Sequence, residues 1–489
     1  MPEIKPLGQL FTDRAAEAPD APAVTVGADT ITRGELESRA NRTARHYEQL
    51  GVGVGDFVTI ALPNSIEFFV ATAAVWKLGA VPQPISWRLP RRERQEIVEL
   101  ADPKLIVGVE ADDHPGRTTL PVGAEIDASL DDSPLPGERI SPAWKAPTSG
   151  GSTGRPKVIV AGQPGLFPKE VGAGWGMAPD DVQLVPGPMY HSAPFGWSFF
   201  GLWMGHHIIV LPRFDPEVAL QAVHDRQVTW ACFVPTMLRR MLRVIDEKPG
   251  RFDLSSLRML WHMGAPCAPW LKERWIELVG PDRVFELYGG TEAQAIAVIS
   301  GREWLEKRGA VGKPALGEMM ILDPQGNQLP PGEIGEIYMR SPSDEPPRYH
   351  YVGAEARVRD GWESLGDMGW MDEDGYVYIS DRRTDMIVTG GANVYPAEVE
   401  AAIDEHPLVE SSAVVGIPDD DLGQRVHAVV HAADGLTDDA LLAHLEERLV
   451  KYKLPRSIEF VDEQLRDDAG KVRRAAVREA VLARQSVAG

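Results

Sequence analysis

Thr148-Ser-Gly-Gly-Ser-Thr-Gly-Arg-Pro-Lys157 is the stretch on which the reading of this chain turns. Each of its first seven residues is Thr, Ser or Gly. Gly150, Gly151 and Gly154 let the backbone turn sharply and approach a ligand closely. Successive backbone N–H groups in such a turn form a concave anion site. The hydroxyls of Thr148, Ser149, Ser152 and Thr153 add donors, and Lys157 adds charge. Arg155 and Pro156 stand between the last glycine and the lysine, so the stretch is not GxxxxGK[ST] and that type of phosphate loop is excluded. Composition alone would also allow a flexible Ser/Gly loop; the ordered Gly-Arg-Pro-Lys ending argues against it.

On either side of this stretch, from about residue 30 to residue 300, short apolar runs alternate with helical patterns. Asp56-FVTIALP, Lys104-LIVGVE, His207-IIVLP, Val228-TWACFVP and Arg258-MLWHM read as buried strands, β-branched and bounded by Gly, Pro or charge. In Gly34-ELESRANRTARHYEQLG, Leu36, Ala40, Ala44, Tyr47 and Leu50 fall on one helical face, and Gly51 supplies a stop. Alternation of this kind implies an α/β fold of mostly parallel sheets flanked by helices, with ligands at loops beyond the carboxyl ends of strands. From about 310 to 380 Gly and Pro become dense, and short alternating runs such as Glu336-IYMRS predict a small antiparallel β subregion. After Asp381 comes a small α+β region: a helix from Ala397-EVEAAIDEH, strands at Ser412-AVVGIP and Val426-HAVVHA, a helix near 437–450 and a basic C-terminal helix. The expected division is a large region, 1–382, and a small one, 383–489.

Composition bounds the rest. The 489 residues are 43% apolar, 25% charged and 7% aromatic, which describes an ordinary folded protein with enough chain for more than one core. Fifty Lys and Arg against seventy-two Asp and Glu give a net charge of −22, which argues against a nucleic-acid or anionic-lipid surface. Cys232 and Cys267 make no disulfide framework or zinc pattern. The start, MPEIKPLGQLFTDRAAE, has no apolar stretch like a signal peptide's, and the longest apolar-rich run, Phe68 to Trp76, is too short to span a membrane. A cytoplasmic location is expected. Oligomeric state is not readable here, and a homodimer is compatible with the sequence.

TSGGSTGRPK resembles the phosphate-binding loop of the adenylate-forming enzymes, which include acyl-CoA synthetases, luciferase-like enzymes and nonribosomal-peptide adenylation domains. Other segments follow in the family's order: PNSIEF, KLGAVPQPI, Met189-Tyr-His-Ser, Met263-Gly-Ala-Pro, Tyr288-Gly-Gly-Thr-Glu292 and Gly366-Asp367. Asp381-Arg-Arg-Thr-Asp-Met-Ile, Gly390-Gly-Ala-Asn-Val-Tyr-Pro-Ala-Glu-Val-Glu400, Tyr452-Lys-Leu-Pro455 and Gly470-Lys471 complete the series. The resemblance thus covers essentially the whole chain, and the motifs in order are far more specific than any one of them.

The resemblance implies a large AMP-binding domain, a small mobile C-terminal domain and a two-step reaction: a carboxylate attacks the α-phosphate of ATP, then a nucleophile takes the acyl group from the acyl-AMP. It assigns the β- and γ-phosphates to Thr148 through Gly154 and Lys157, the α-phosphate to Thr291 and Mg²⁺ to Glu292. A single carboxylate plus phosphate oxygens suits Mg²⁺, which takes hard ligands and few from protein. Asp367 and Arg382 are the implied ribose pair, and Tyr288 and Gly264 flank adenine. His191 is placed near the reacting carboxylate, and Lys471 is the lysine that neutralises charge developing during adenylation. Gly390 and Gly391 are expected to line the passage for the acceptor thiol, and the hinge falls on Thr384, where the family usually has Asp or Lys. Two further departures are Gln464-Leu465-Arg466, often preceded by Pro in the family, and Val158, where Gly usually follows the loop.

Coenzyme A is the expected acceptor, making the chain a stand-alone acid–CoA ligase. Arg88, Arg91, Arg92 and Arg94 are either a site for CoA phosphates or a solvated helix face. Gly290, at the variable position of YGGTE, is expected to leave a gap in the acyl tunnel. Phe195, Trp197, Phe199, Phe200 and Trp203 follow His191, and Trp197 and Phe200 are the choices for the pocket itself. A bulky or long apolar acid (fatty, aryl or ring-containing) is expected rather than acetate. The alternatives are an adenylating enzyme with a carrier-protein acceptor, or oxygen as in luciferases, and a catalytically silent nucleotide-binding homologue.

Overall fold

The computed structural model describes residues 3–150, 156–342, 348–419, 421–467 and 470–488. Its centre is a nine-stranded sheet. From one edge, the order is Lys313–Leu316, Ile296–Ser300, Val284–Gly289, Met259–Met263, Trp230–Phe233, Val182–Val185, His207–Val210, Pro22–Val26 and Asp29–Thr32. The inner strands from Val284–Gly289 to Pro22–Val26 run parallel, and antiparallel pairs close both edges. Each of the five runs read as buried strands from the sequence contributes a strand. A second, parallel sheet of four strands runs Val81–Pro84, Phe57–Ile60, Leu105–Val107, Thr119–Leu120.

The helix Ile66–Lys77 joins the two sheets because it is apolar nearly all round. Residues Phe68 through Lys77 are all buried, and Ser65 caps its start by accepting from the Phe68 N–H. One core cluster contains this helix together with Val24, Ile208 and Val210 of the first sheet and Val58, Ile60 and Leu105 of the second. The neighbouring helix Arg33–Gln49 begins in a capping box between Thr32 and Glu35.

Within residues 318–382, six strands form an antiparallel sheet, as the Gly/Pro-dense alternation predicted. The segment after Arg382 has its own core. Ile387, Val399, Val414, Ala428, Val430 and Leu441 pack around a five-stranded sheet built on the long hairpin Val409–Asp419/Gly423–Ala432. The helices Pro396–Asp404 and Asp438–Glu446 cover one side of the sheet, and the C-terminal helix packs on the other through Val477 and Val481.

The two parts meet at named contacts. Arg239, on the helix Pro235–Glu247, forms an ion pair with Asp404 at 3.2 Å and donates to the Val409 carbonyl at 2.5 Å; Arg243 donates to the same carbonyl. Arg474 ties the connection between them, reaching Asp385 at 2.7 Å, Glu400 at 2.8 Å and Asp381 at 3.7 Å. Among the described residues no helix is long and apolar enough to cross a membrane.

Candidate active site

The strands Thr148–Gly150 and Pro156–Ala161 pair antiparallel, with Thr148 opposite Val158 and Ser149 opposite Lys157. Gly151, Ser152, Thr153 and Gly154 lie outside the described residues, as does the side chain of Ser149. Val158, the departure from the family's glycine, is fully buried and also pairs with Val352, so the position serves the small sheet's core. Among the described residues the buried Thr148 hydroxyl has no hydrogen-bond partner.

Lys157 reaches across to Glu292, with Nζ 3.2 Å from Oε1. Tyr351 donates its hydroxyl to the same oxygen at 2.6 Å, and Lys157 Nζ stands 3.8 Å from the centre of the Tyr351 ring. Burial and the Glu292 charge push the Tyr351 phenol well above its ordinary pKa, so it stays a donor. Tyr351 was not foreseen: it sits on a strand opposite Ile159, and no local pattern marks it. Glu292 is 5% exposed. Among the described residues no group of three or more His, Cys, Asp or Glu could hold a metal ion, so a cation at Glu292 would draw other ligands from substrate oxygens and water.

Tyr288, at the end of the strand Val284–Gly289, donates its hydroxyl to Asp367 Oδ2 at 2.8 Å, and Arg382 Nε lies 3.5 Å from Asp367 Oδ1. The expected ribose pair is therefore brought together, with the expected adenine neighbour bonded to it. Gly264 follows the strand Met259–Met263 at φ +84°, a conformation that favours glycine.

His191 is the N-cap residue of the helix Ser192–Met204 and packs its ring 4.5 Å from that of Tyr190. Burial, and then the charge of Lys471, lower its pKa to about 3, so it is neutral at pH 7. Lys471 arrives from the C-terminal part. Gly470, at φ +72°, makes this approach, since a Cβ there would stand 2.7 Å from Thr236 Oγ1. Lys471 keeps accessible surface although protein atoms crowd around it. Burial there and the Arg382 charge lower its pKa, while Asp467 and Glu292 oppose the shift. The lysine's own loop is held by Asp467, which accepts from the Lys471 N–H at 2.9 Å.

Beyond this group lies an uncharged, packed aromatic cluster. Trp230, Cys232, Trp261, Met263, Phe285 and Leu287 line one face of the central sheet, and Ala193, Trp197, Phe200 and Met204 face them from the helix Ser192–Met204. Trp197 lies 5.6 Å from Trp230 and 6.4 Å from Trp261, ring centre to ring centre. Phe195, Phe199 and Trp203 point the other way, into the core shared by the two sheets. Trp197 belongs to this cluster, and Phe200 packs against both it and the core shared by the two sheets.

A Cβ at Gly290 would come 2.4 Å from Leu365 Cδ1 and 2.8 Å from Glu292 Oε2, so the glycine gives these two side chains room. Gly390 and Gly391, at φ +55° and +83°, form the two-residue turn of the hairpin Ile387–Thr389/Ala392–Val394, a local reason for both glycines. Thr384 sits exposed in the turn after Arg382, its hydroxyl 3.3 Å from Asp385. The arginine cluster is largely spoken for: Arg92 pairs with Glu96 at 3.2 Å, Arg94 with Asp113 at 2.6 Å, and Arg91 donates to the Asp112 carbonyl. This favours the solvated helix face.

Residues 11–343 match the AMP-binding enzyme family, and residues 398–471 match the AMP-binding enzyme C-terminal domain. The chain belongs to the AMP-binding enzyme family. It is 34% identical to a feruloyl-CoA synthase of an Amycolatopsis species, covering 96% of this chain and 98% of that protein. It is 31% identical to the 2-succinylbenzoate–CoA ligase of Bacillus licheniformis (94% and 97% covered) and to a fatty acid–[acyl-carrier-protein] ligase of Streptomyces coeruleorubidus (98% and 97% covered). Among solved structures, o-succinylbenzoate CoA synthetase from Bacillus subtilis with its acyl-adenylate intermediate superposes with a TM-score of 0.83 at 26% identity, covering 97% of this chain and 98% of that one. The same synthetase has been solved with ATP and a magnesium ion (TM-score 0.82, 27% identity, 97% and 99% covered).

Proposed function

We propose that this family member is an AMP-forming acid–CoA ligase acting on a ring-bearing carboxylic acid. The observation that carries the reading is the junction of two unlike groups: Lys157, Glu292, Asp367, Arg382 and Lys471 on one side, and on the other the aromatic cluster of Trp197, Trp230 and Trp261, which in this reading opens as the slot for the acid. The first group suits a nucleotide and the second a flat apolar acid. Relatives named for feruloyl and succinylbenzoyl substrates support the aryl choice over a fatty chain.

In this reading ATP lies with its ribose on Asp367 and Arg382, its adenine between Tyr288 and Gly264, and its outer phosphates on the Thr148–Lys157 loop. Thr291 reaches the α-phosphate. Glu292 would hold Mg²⁺ together with phosphate oxygens, and the ion would supply positive charge to the polyphosphate. The donor set fits, since Glu292 is a buried hard-oxygen ligand whose neighbours Lys157 and Tyr351 are already placed for anions. The acid's carboxylate attacks in line, pyrophosphate leaves, and Lys471 stabilises the charge that develops around the α-phosphate. His191, neutral, borders the carboxylate without competing for its charge.

Thioester formation then needs the sulfur of CoA at the acyl carbon. The small domain, taken as residues 383–489, turns about Thr384, withdraws Lys471 and presents Gly390 and Gly391 to the thiol's passage. The ion pairs of Arg239 and Arg474 are the contacts that hold the arrangement seen here. A cytoplasmic setting, where ATP and CoA are available, belongs to the same proposal. A second reading, transfer to a carrier protein's phosphopantetheine, is favoured by the likeness to a fatty acid–[acyl-carrier-protein] ligase.

The test is a screen of acids with ATP, Mg²⁺ and CoA that reads AMP and acyl-CoA together by mass. Ferulate, 4-coumarate, benzoate and 2-succinylbenzoate are compared with decanoate and acetate. AMP and thioester are expected in equal amounts with a ring-bearing acid. Equal or better turnover of acetate would sink the substrate assignment, and thioester on a carrier protein but not on CoA would select the second reading.

A further inference from the structure

Three lysines are buried among the described residues of the large domain, and two of them show how this chain tolerates a buried ammonium. Lys77 meets Glu37 at 2.8 Å and also donates to the Gly8 carbonyl and the Thr12 hydroxyl. Lys272 meets Glu286 at 2.6 Å. Pairing offsets the cost of taking such a charge out of water.

Lys145 is the third, 9% exposed, and no carboxylate among the described residues lies within ion-pair distance of it. Its ammonium contacts the Ser192 hydroxyl and stands 4.4 Å from the centre of the Trp144 ring; Glu292 acts on it only from further away. Its backbone is fixed beside the phosphate loop, accepting from the Ala161 N–H at 3.0 Å. The side chain therefore runs from the base of that loop to the start of the helix Ser192–Met204, immediately after His191, on the helix that carries Trp197 and Phe200. The helix start is itself a positive end, so two like charges meet there with no acid between them. Such an arrangement is completed by an anion.

We propose that Lys145 holds the carboxylate of the acid substrate at the slot mouth. The proposal rests on the ligase reading. Of the three donors of the ammonium, one goes to Ser192, which leaves two for carboxylate oxygen. Lys157 and Lys471 face the phosphates, so the division of labour gives the acid a cation of its own. Burial lowers the Lys145 pKa to about 7, with Glu292 opposing, and an incoming carboxylate would draw the proton back on.

ATP–pyrophosphate exchange is measured for wild type and Lys145→Met with ferulate and with 2-succinylbenzoate. Loss of a charge-assisted hydrogen bond should raise KM for the acid about 10- to 100-fold, with KM for ATP changed less than about twofold. An unchanged KM for the acid, or an equal rise for ATP, overturns the assignment. A second measurement needs neither turnover nor a folded variant. Wild-type protein is reductively methylated with formaldehyde and a borane, in acetate or in chloride of equal ionic strength, and Lys145 is followed by mass spectrometry. Slower methylation in acetate supports a carboxylate site at Lys145, and equal rates contradict it. If no acid in the screen is adenylated but acetate still protects Lys145, the ligase reading fails and the carboxylate site stands.

Discussion

The two faces of the central sheet are built from the same strands and do opposite things. On the back, Ala231, Phe233, Leu260, Val284 and Ile299 are all within 1% of complete burial, sealed by the helices Pro235–Glu247 and Pro269–Val279. The charged pair Lys272 and Glu286 is closed on itself. On the front, Cys232, Met259, Phe285 and Leu287 stay half-buried although they sit in inner strands, and the helix opposite them offers Trp197 and Phe200. The back uses its side chains for density. The front keeps accessible apolar surface, and its buried lysine, Lys145, has no acid among the described residues. Unsatisfied surface inside a well-packed domain thus marks the side on which a ligand completes the packing.

The contrast can be broken first from the back. Lys272→Met leaves Glu286 buried without its cation and should cost about 3–5 kcal/mol in unfolding free energy. Chemical denaturation measures this, and adenylation per folded molecule should be nearly unchanged. A large loss of specific activity at full folding would show that the back face is not merely structural.

The next effect belongs to the cleft above the front face. Lys471→Ala should lower ATP–pyrophosphate exchange by about 10²–10³, the usual consequence of removing one preorganised donor. It should still convert supplied acyl-AMP and CoA to thioester. Equal losses in both half-reactions would remove Lys471 from the adenylation step.

A smaller effect is expected within the slot. Trp197→Ala should reduce the preference for a ring-bearing acid over decanoate about tenfold, the scale of one well-packed aromatic contact. The ratio of kcat/KM values reads it, and an unchanged ratio would place the acid elsewhere.

A last prediction concerns pH. His191 has its pKa lowered to about 3 in the folded protein, against an unfolded value near 6.5. Between those values the unfolded chain binds the proton and the folded one does not, so stability falls as pH drops from 6.5 towards 3. His191→Gln should therefore flatten that part of the stability profile. It should not alter any acid limb of the rate near pH 6.5, because the imidazole is already neutral there.

Much of this was legible in the sequence because it is local. The strands ending at Phe233 and Met263 announce themselves as short apolar runs, and the capping box at Thr32 and Glu35 lies within four residues. Motif order placed Asp367 with Arg382 and Tyr288, although they come from different strands, since the resemblance carried that information. What depends on packing alone was not legible. Tyr351 reaches Glu292 only because two strands pair in one register, and Lys145 looks like any lysine until its missing acid is noticed. The approach of Leu365 to Gly290 was not legible either, because the two are distant in sequence.

The central claim is that the front face receives an acid which is adenylated and then handed to CoA. Its most direct test is mass spectrometry of enzyme mixed with ATP, Mg²⁺ and a ring-bearing acid such as ferulate, first without CoA and then with it. The predicted result is a bound acyl-AMP that disappears on addition of CoA as acyl-CoA and AMP rise together. Absence of the acyl-AMP across the whole acid panel, or an acyl-AMP that CoA fails to discharge, would contradict it.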